Sequence, residues 1–206
     1  MYQSQWRPDF PMAHILPHWN WNERVGMITP VHVYTSGDEA ELFLNGKSLG
    51  RKAKKAGQDF RLVWDSVAYQ AGELKVIAYK NGTPWATDVM KTTGEAKKLG
   101  LSANRNIISS NGEDLVFITV KVLDNDGLTV PRSKPLIKFE IEGPGEIVAT
   151  DNGDASSFVP FISLQREAFN GLALVIIKAN KGATGEIQIK ASCERLQEDN
   201  IKISIK

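Results

Sequence analysis

Residues 31–50 read VHVYTSGDEAELFLNGKSLG, and their alternating pattern decides the fold class of the chain. Val31, Val33 and Thr35 fall on one face of a strand, because successive side chains of a strand point to opposite sides. The residues between them face the other way. The opening of this stretch therefore predicts a β-strand with one face turned toward a core.

Two turn signals divide the same stretch into three strands. Gly37-Asp38 closes the first corner, and Asn45-Gly46 closes the second. Asn-Gly between alternating apolar residues is a strong hairpin signal. Leu42 and Leu44 share one face of the returning strand. The stretch as a whole predicts the edge of an antiparallel β-sandwich, and it holds no arrangement of side chains that could do chemistry.

Short strands separated by turn residues continue along the chain at roughly 8–12-residue spacing, which is typical of a sandwich. The polar stretch 92–98 separates two such series, and no amphipathic helix of useful length is evident. We predict an all-β protein of two consecutive sandwich domains, at residues 23–95 and 96–206. Residues 1–22 are rich in aromatic residues, broken by proline, and predicted as a separate segment.

Composition argues against several functional classes. The chain has 25 Lys and Arg against 24 Asp and Glu, so it lacks the charge that would attract nucleic acid or an anionic membrane. Its apolar runs are far shorter than the ~20 residues of a membrane helix. We therefore expect neither nucleic acid nor a membrane as a partner. The basic run Arg51–Lys55 is predicted as a solvated loop, and the single cysteine, Cys193, as a small sheet residue.

The acidic loops are the places to look for a metal site or a catalytic pair. Asp124–Gly127 resembles the opening of a calcium loop but lacks the closing Glu, so a hairpin turn is predicted. The Asp151–Asp154 loop could bind calcium, or its side chains could satisfy the backbone of a turn. Asn22-Glu23 has the form of a glycosidase acid/base motif, but the Glu has no visible partner carboxylate. No metal, cofactor or catalytic residue is predicted. The histidines, whose spacing fits neither a zinc site nor a catalytic triad, are His14, His18 and His32.

Three tryptophans, Trp6, Trp19 and Trp21, lie on an N-terminal segment that is too irregular to bury them by itself. Either they pack beneath the following sheet, or they remain from an interface or sugar-binding cleft of a larger domain. The pattern alone leaves both interpretations open.

Several stretches together resemble the C-terminal part of glycoside hydrolase family 2 β-galactosidases, and of Bacteroides-type enzymes in particular. Residues 14–21 and 29–50 are similar to the segment that follows the catalytic barrel in that family. Residues 142–148 and 168–172 are similar to its C-terminal immunoglobulin-like domain. The likeness covers essentially the whole chain and rests on structural motifs. Further similar stretches are 72–82, 91–94, 114–120 and 151–154.

The resemblance implies both a fold and a function. Both sandwiches would be immunoglobulin-like, and both catalytic glutamates would lie on an upstream barrel. Residues 1–22 would be the end of that barrel, with Tyr2–Trp6 as its last strand, and Trp6 would line the galactose pocket as a substrate-binding residue. The parent protein would be a retaining β-galactosidase, periplasmic or secreted, whereas this chain alone is expected to be inactive.

Two hypotheses of different classes follow. In the first, the chain comprises non-catalytic accessory domains whose partner is the catalytic barrel, against which Trp6, Trp19 and Trp21 are buried. In the alternative, it is an autonomous carbohydrate-binding or adhesive module pair whose partner is a glycan. The aromatic platform of that module would come from Trp19, Trp21, Trp64 or Trp85.

Overall fold

The computed structural model describes residues 1–55 and 60–206, which form two compact units, Met1–Thr92 and Thr93–Lys206. Unit 1 contains a short helix α1 (Tyr2–Trp6), a 3-10 helix (Asn22–Arg24) and strands β1 (Ala13–Leu16), β2 (Val31–Thr35), β3 (Glu39–Leu44), β4 (Lys47–Ala53), β5 (Leu62–Trp64), β6 (Glu73–Lys80) and β7 (Thr83–Lys91). Unit 2 contains strands β8 (Lys98–Ala103), β9 (Ile107–Ile108), β10 (Val116–Leu123), β11 (Leu136–Glu142), β12 (Gly145–Asp151), β13 (Gln165–Glu167), β14 (Leu172–Ala179), β15 (Gly185–Ser192) and β16 (Asp199–Ile205). The prediction of an all-β fold with two immunoglobulin-like sandwiches is confirmed. Neither helix of the described residues has the length and apolar character needed to cross a membrane.

Unit 1 is built from two antiparallel sheets, ordered β1-β2-β5 and β4-β3-β6-β7. The predicted alternation is confirmed, because Val31, Val33 and Thr35 are fully buried while the residues between them are only partly buried. The predicted position at the sheet edge is wrong for two of the three strands. β2 and β3 are each flanked on both sides, and only β4 forms an edge.

The first corner explains that difference. It carries the chain from one sheet to the other instead of folding β3 back onto β2. A Cβ atom on Gly37 would lie 2.5 Å from the carbonyl oxygen of Tyr79, and the neighbouring Asp38 N–H donates to that same oxygen at 2.8 Å. Glycine is therefore required where the corner crosses β6.

The second corner is the hairpin that the Asn-Gly signal predicts. Asn45 and Gly46 both have positive φ, at 49° and 80°, as a type I′ turn requires. The Asn45 side chain also accepts a hydrogen bond from Glu73 N–H at 2.8 Å and donates to Ala71 at 3.1 Å. The turn is thus tied to the start of β6.

The basic run Arg51–Lys55 is not the predicted loop, since its first three residues complete β4. Lysine and arginine are common on edge strands because they discourage pairing with another chain. Lys52 donates to the carbonyl of Val63 at 2.6 Å, and the Arg51 guanidinium lies 3.6 Å from the centroid of the Tyr79 ring. The cations of this run therefore support the sandwich locally.

The start of the chain also differs from expectation. Tyr2–Trp6 forms a short helix, and the strand predicted there is wrong. A helical turn satisfies its own backbone, here through the Arg7 N–H donating to Gln3 at 3.1 Å and the Ser4 hydroxyl donating to Met1 at 2.6 Å. A strand would need a neighbour to pair with. Farther along, Ala13–Leu16 pairs with β2 as part of unit 1's own sheet.

Unit 2 packs a four-stranded sheet, ordered β12-β14-β10-β8, against a five-stranded sheet, ordered β13-β11-β15-β16-β9. The alternation along β10 buries Val116, Ile118, Val120 and Val122 completely. Every pairing in these two sheets is antiparallel except that of β9 with β16. The core is aliphatic, and Phe139 is its one aromatic side chain within the described residues.

Asp124 lies in the predicted turn after β10 and is almost completely buried. Its carboxylate accepts hydrogen bonds from Gly94 N–H at 2.9 Å and Leu128 N–H at 2.8 Å. Burial alone would raise the pKa of this carboxyl group, but the backbone donors around it outweigh that effect and hold the pKa below its ordinary value. The charged carboxylate therefore fixes the turn and the start of unit 2.

We expect Asp124→Asn to destabilise unit 2 by about 1–3 kcal/mol at neutral pH, because an amide nitrogen cannot accept the hydrogen bonds that backbone N–H groups make to this buried carboxylate. The folded-state pKa is depressed, so this contribution is complete above the unfolded value of about 3.9 and is lost as the pH falls toward the folded value. The difference between wild type and variant should accordingly narrow in acid.

Two probes of chemical denaturation can distinguish the unfolding of unit 2 from that of unit 1, because all five tryptophans belong to unit 1. Far-UV circular dichroism follows both units, whereas tryptophan fluorescence follows unit 1. Asp126→Asn, an exposed change in the same turn, is the matched control and should have little effect. Equal stability of the two variants would contradict the assigned role of Asp124.

Candidate docking surface

The outer face of the β1-β2-β5 sheet carries the most distinctive surface of unit 1. Ile15 on β1 points into the core and is fully buried, so its neighbours His14 and Leu16 point outward. The strand register places Leu16 beside His32 of β2. This face is therefore built from partly exposed apolar and imidazole side chains.

The segment after β1 folds back over this face. The Leu16-Pro17 peptide is cis. The Trp21 indole N–H then donates to the carbonyl of His18 at 2.8 Å, and the two rings stack with centroids 4.3 Å apart. Trp21 is consequently held as one wall of a surface pocket.

Arg24, at the end of the 3-10 helix, fixes another part of the pocket lining. Its guanidinium donates to the Thr29 hydroxyl at 3.1 Å and to the carbonyl of Ile28 at 2.5 Å. The chain between these contacts is thereby held as a tight loop that exposes Val25, Met27 and Ile28 to solvent. Val25 is 68% exposed.

These walls enclose an apolar pocket of about 480 Å³, which we call the Trp21 pocket. Its lining residues are Leu16, Pro17, Trp21, Arg24, Thr29, Pro30 and His32. None of these carries a carboxylate, so the pocket lacks the acid pair that glycoside hydrolysis requires. Its shape and lining suit burial against another apolar surface better than they suit chemistry.

His32 lines the same pocket and contributes a buried polar atom. Its Nδ1 atom is buried and has no hydrogen-bond partner within residues 1–55 and 60–206. A buried polar atom without a partner is costly, so such atoms are rare in finished interiors.

The predicted aromatic residues have quite different environments. Trp19 is fully buried, its ring lies 4.9 Å from that of Tyr69, and its indole N–H donates to Gln70 at 2.8 Å. The expectation that Trp19 packs against a barrel is therefore wrong, because unit 1 buries it in its own core. Trp64 is likewise a core residue and cannot form a sugar platform. Trp85 is partly buried and donates to the Ser36 hydroxyl at 2.9 Å.

Trp6 remains at the surface on α1, 74% exposed, with the Tyr2 ring 4.9 Å away. The next residue toward the N-terminus, Gln5, donates to the carbonyl of exposed Phe60 at 3.4 Å. Tyr2 and Trp6 thus form an exposed aromatic pair in unit 1. The substrate-binding role of Trp6 stays a prediction.

The aspartates that were candidates for a metal site accept hydrogen bonds from the backbone. In the Asp151–Asp154 loop, one Asp151 oxygen accepts from Asn152 N–H at 2.7 Å, and Asp154 accepts from Ser156 N–H at 2.9 Å. These are the contacts of Asx turns, the alternative to calcium that the sequence left open. Glu23 lies exposed on the 3-10 helix. Among the described residues, no three His, Cys, Asp or Glu side chains group as metal ligands would.

The sequence is similar to a known family over its second half. The sequence model described as glycoside hydrolase family 2 C-terminal domain 5 matches residues 99–202, just over half of the chain. The chain belongs to this family. Residues 26–86 match a second model, described as a domain of unknown function (DUF4982).

Longer proteins match this chain across both units. The beta-galactosidase BoGH2A of Bacteroides ovatus is 37% identical over 206 residues, which cover 99% of this chain and 23% of that protein. A beta-glucuronidase of Formosa agariphila is 30% identical over 69% of this chain and 14% of its own length. A crystal structure of a beta-glycosidase from Bacteroides vulgatus has a TM-score of 0.92 and 28% identity, covering 98% of this chain and 26% of that one. The chain thus spans about a quarter or less of the length of these relatives.

The loop Val25–Ile28, which joins the pocket-lining residues Arg24 and Thr29, was missed by sequence reasoning. Its signal was an apolar group next to a glycine, with neither the period of a strand nor that of a helix. Such a group in a loop indicates a buried position or an interface.

The contrast between the tryptophans generates a direct test. We expect Trp19→Ala to destabilise unit 1 by about 3–5 kcal/mol, the usual cost of removing a buried aromatic ring. Trp6→Ala should change the stability by less than about 0.5 kcal/mol, as exposed positions do. Urea unfolding followed by the fluorescence of the remaining tryptophans measures both. Similar costs for the two variants would contradict the assignment of Trp19 to the core and Trp6 to the surface.

Proposed function

We propose that this chain is a non-catalytic accessory part of a glycoside hydrolase family 2 β-galactosidase, and that the Trp21 pocket docks onto the catalytic domain of the same polypeptide. The observation that carries the proposal is an apolar pocket whose lining residues Arg24 and Thr29 are joined by a loop that exposes Val25 and Met27. The similarity to BoGH2A, of which the chain spans 23%, supports a larger parent protein.

The energetics of docking favour such an intramolecular partner. Fully burying an exposed Val, Leu or Met side chain contributes about 1.5–3 kcal/mol. Val25, Met27 and Leu16 together offer a useful but limited apolar area. A limited area suffices when the partner is tethered, because the linker raises its effective concentration.

The choice of β-galactosides as substrate class is part of the proposal. BoGH2A aligns with the full length of this chain at higher identity than the beta-glucuronidase of Formosa agariphila. Sugar specificity would be set on the catalytic domain, since the Trp21 pocket has no carboxylate among its lining residues.

A chimera provides the test. The segment of BoGH2A that aligns with this chain is replaced by residues 1–206, and hydrolysis of a chromogenic β-galactoside is measured. The isolated 206-residue chain should show no turnover, and the chimera should be active. Val25→Asp with Met27→Asp should weaken docking by about 1.5–3 kcal/mol for each side chain that docking fully buries. This loss should lower the temperature at which the chimera unfolds and loses activity.

Two controls accompany the chimera. The same double substitution in the isolated chain should leave its melting temperature unchanged, because both side chains are exposed there. Val89→Asp, an exposed apolar position on β7 in the other sheet of unit 1, should be neutral in the chimera. Turnover by the isolated chain would overturn the non-catalytic assignment. If the double substitution leaves the unfolding temperature of the chimera unchanged, the docking role of the Trp21 pocket is wrong.

Trp6 is proposed to line the sugar pocket of the parent enzyme, a role supported by its exposed ring. In the chimera, Trp6→Phe should keep most of the affinity and Trp6→Ala should raise KM for the galactoside, because an aromatic face is lost. Melting temperatures of both variants report whether folding is intact. An unchanged KM for Trp6→Ala would contradict this role.

A further inference from the structure

The connection between β12 and β13 in unit 2 displays an unusual apolar surface. It runs over residues 152–164, and long ordered loops in compact domains usually serve a function. Phe158 is 99% exposed and Ile162 is 84% exposed. Phe161 and Leu164 are also exposed. We call residues 158–164 the apolar loop.

A buried arginine holds this loop in place. Arg166 of β13 is only 2% exposed, and its guanidinium donates to the carbonyls of Val159 at 3.0 Å and Pro160 at 2.7 Å. It also donates to the carbonyl of Thr150 at 2.6 Å. The loop backbone is therefore tied to β12 through one cation.

Further hydrogen bonds complete the attachment. Thr150 N–H donates to the carbonyl of Phe161 at 2.7 Å, and the Thr150 hydroxyl donates to Ser163 at 3.1 Å. The backbone carbonyls of the loop thus face unit 2. The apolar side chains are left on the solvent side.

This arrangement is energetically expensive for an isolated domain. Burying a cation costs free energy unless hydrogen bonds compensate, and the partners that the structure gives Arg166 are carbonyls and one hydroxyl. Exposing several large apolar side chains forgoes their burial as well. A rigid loop with outward apolar groups is the form expected of a preorganised contact surface.

We propose that the apolar loop is a second docking element, which packs against an apolar surface on the catalytic domain of the same polypeptide. This inference rests on the proposed function, since it takes the same partner. It adds a contact made by unit 2, in a part of the chain remote in sequence from the Trp21 pocket.

The chemistry of the loop favours this partner over others. Residues 151–164 contain two aspartates and no lysine or arginine, so nothing there attracts an anionic lipid surface. Four or five side chains fall short of the ~800 Å² per partner typical of a stable, independent complex. A tethered neighbour needs less area, and relatives extend well beyond the segment that this chain matches.

Limited chymotrypsin digestion provides the first test, because the enzyme cleaves after Phe158 and Phe161. Mass spectrometry compares cleavage at these two bonds in the isolated chain and in the BoGH2A chimera. We expect cleavage in the chimera to be at least about tenfold slower, the factor that corresponds to 1.4 kcal/mol of docking free energy. Equal cleavage rates in the two proteins would overturn the inference.

Substitution provides the second test. Phe158→Asp should lower the melting temperature of the chimera and leave that of the isolated chain unchanged. Ile107→Asp, an exposed apolar change elsewhere in unit 2, is the matched control and should be neutral in both. A concentration-dependent dimer of the isolated chain that Phe158→Asp abolishes would identify a second copy as the partner and overturn the inference.

The two proposals fail in distinguishable ways. If the Val25→Asp and Met27→Asp chimera is destabilised but the Phe158→Asp chimera is not, only the role of the apolar loop is wrong. If neither variant affects the chimera, the shared partner itself is wrong.

Discussion

The contacts of buried Trp19 fix the N-terminal segment of unit 1, and the exposed surface of the unit depends on them. Its ring packs on Tyr69, its indole N–H donates to Gln70, and its carbonyl accepts from the Thr92 hydroxyl at 2.7 Å. These contacts join the N-terminal segment to both the middle and the end of the unit. Ile15 and Trp19 are fully buried, whereas Leu16 is exposed and Trp21 is only partly buried, and both of these line the apolar pocket. The core of the sandwich thus determines which side chains remain for a partner.

Unit 2 also leaves apolar side chains at its surface, but other interactions hold them there. There a buried cation, Arg166, binds backbone carbonyls and leaves the side chains of a loop facing solvent. In both units local interactions hold apolar groups outward in a fixed shape. Such surfaces are uncommon in proteins that act alone and typical of domains that are part of a larger body. Outward apolar surfaces agree with the family membership of the chain, and they agree with a Trp21 pocket that has no acid pair among its lining residues.

Sequence reasoning succeeded where the signal is local and failed where pairing is distant. The alternation of Val31, Val33 and Thr35 and the Asn45-Gly46 turn were readable because each depends on neighbouring residues. The central position of β2 and β3 was not, since it depends on strands far along the chain. Trp19 and Trp21 lie two residues apart, but the first is fully buried and the second only partly, and the irregular segment has no period that predicts this difference. Arg166 gave no signal because its partners are carbonyls, which every residue has.

The central claim is that the Trp21 pocket is an interface completed by a catalytic domain. Hydrogen exchange measured by mass spectrometry tests it most directly, by comparing the isolated chain with the BoGH2A chimera. The account predicts slower exchange in the chimera for backbone amides of residues 16–32. Amides of β15, whose outer face is polar, should exchange at the same rate in both proteins. Identical exchange over residues 16–32 in the two proteins would contradict the account.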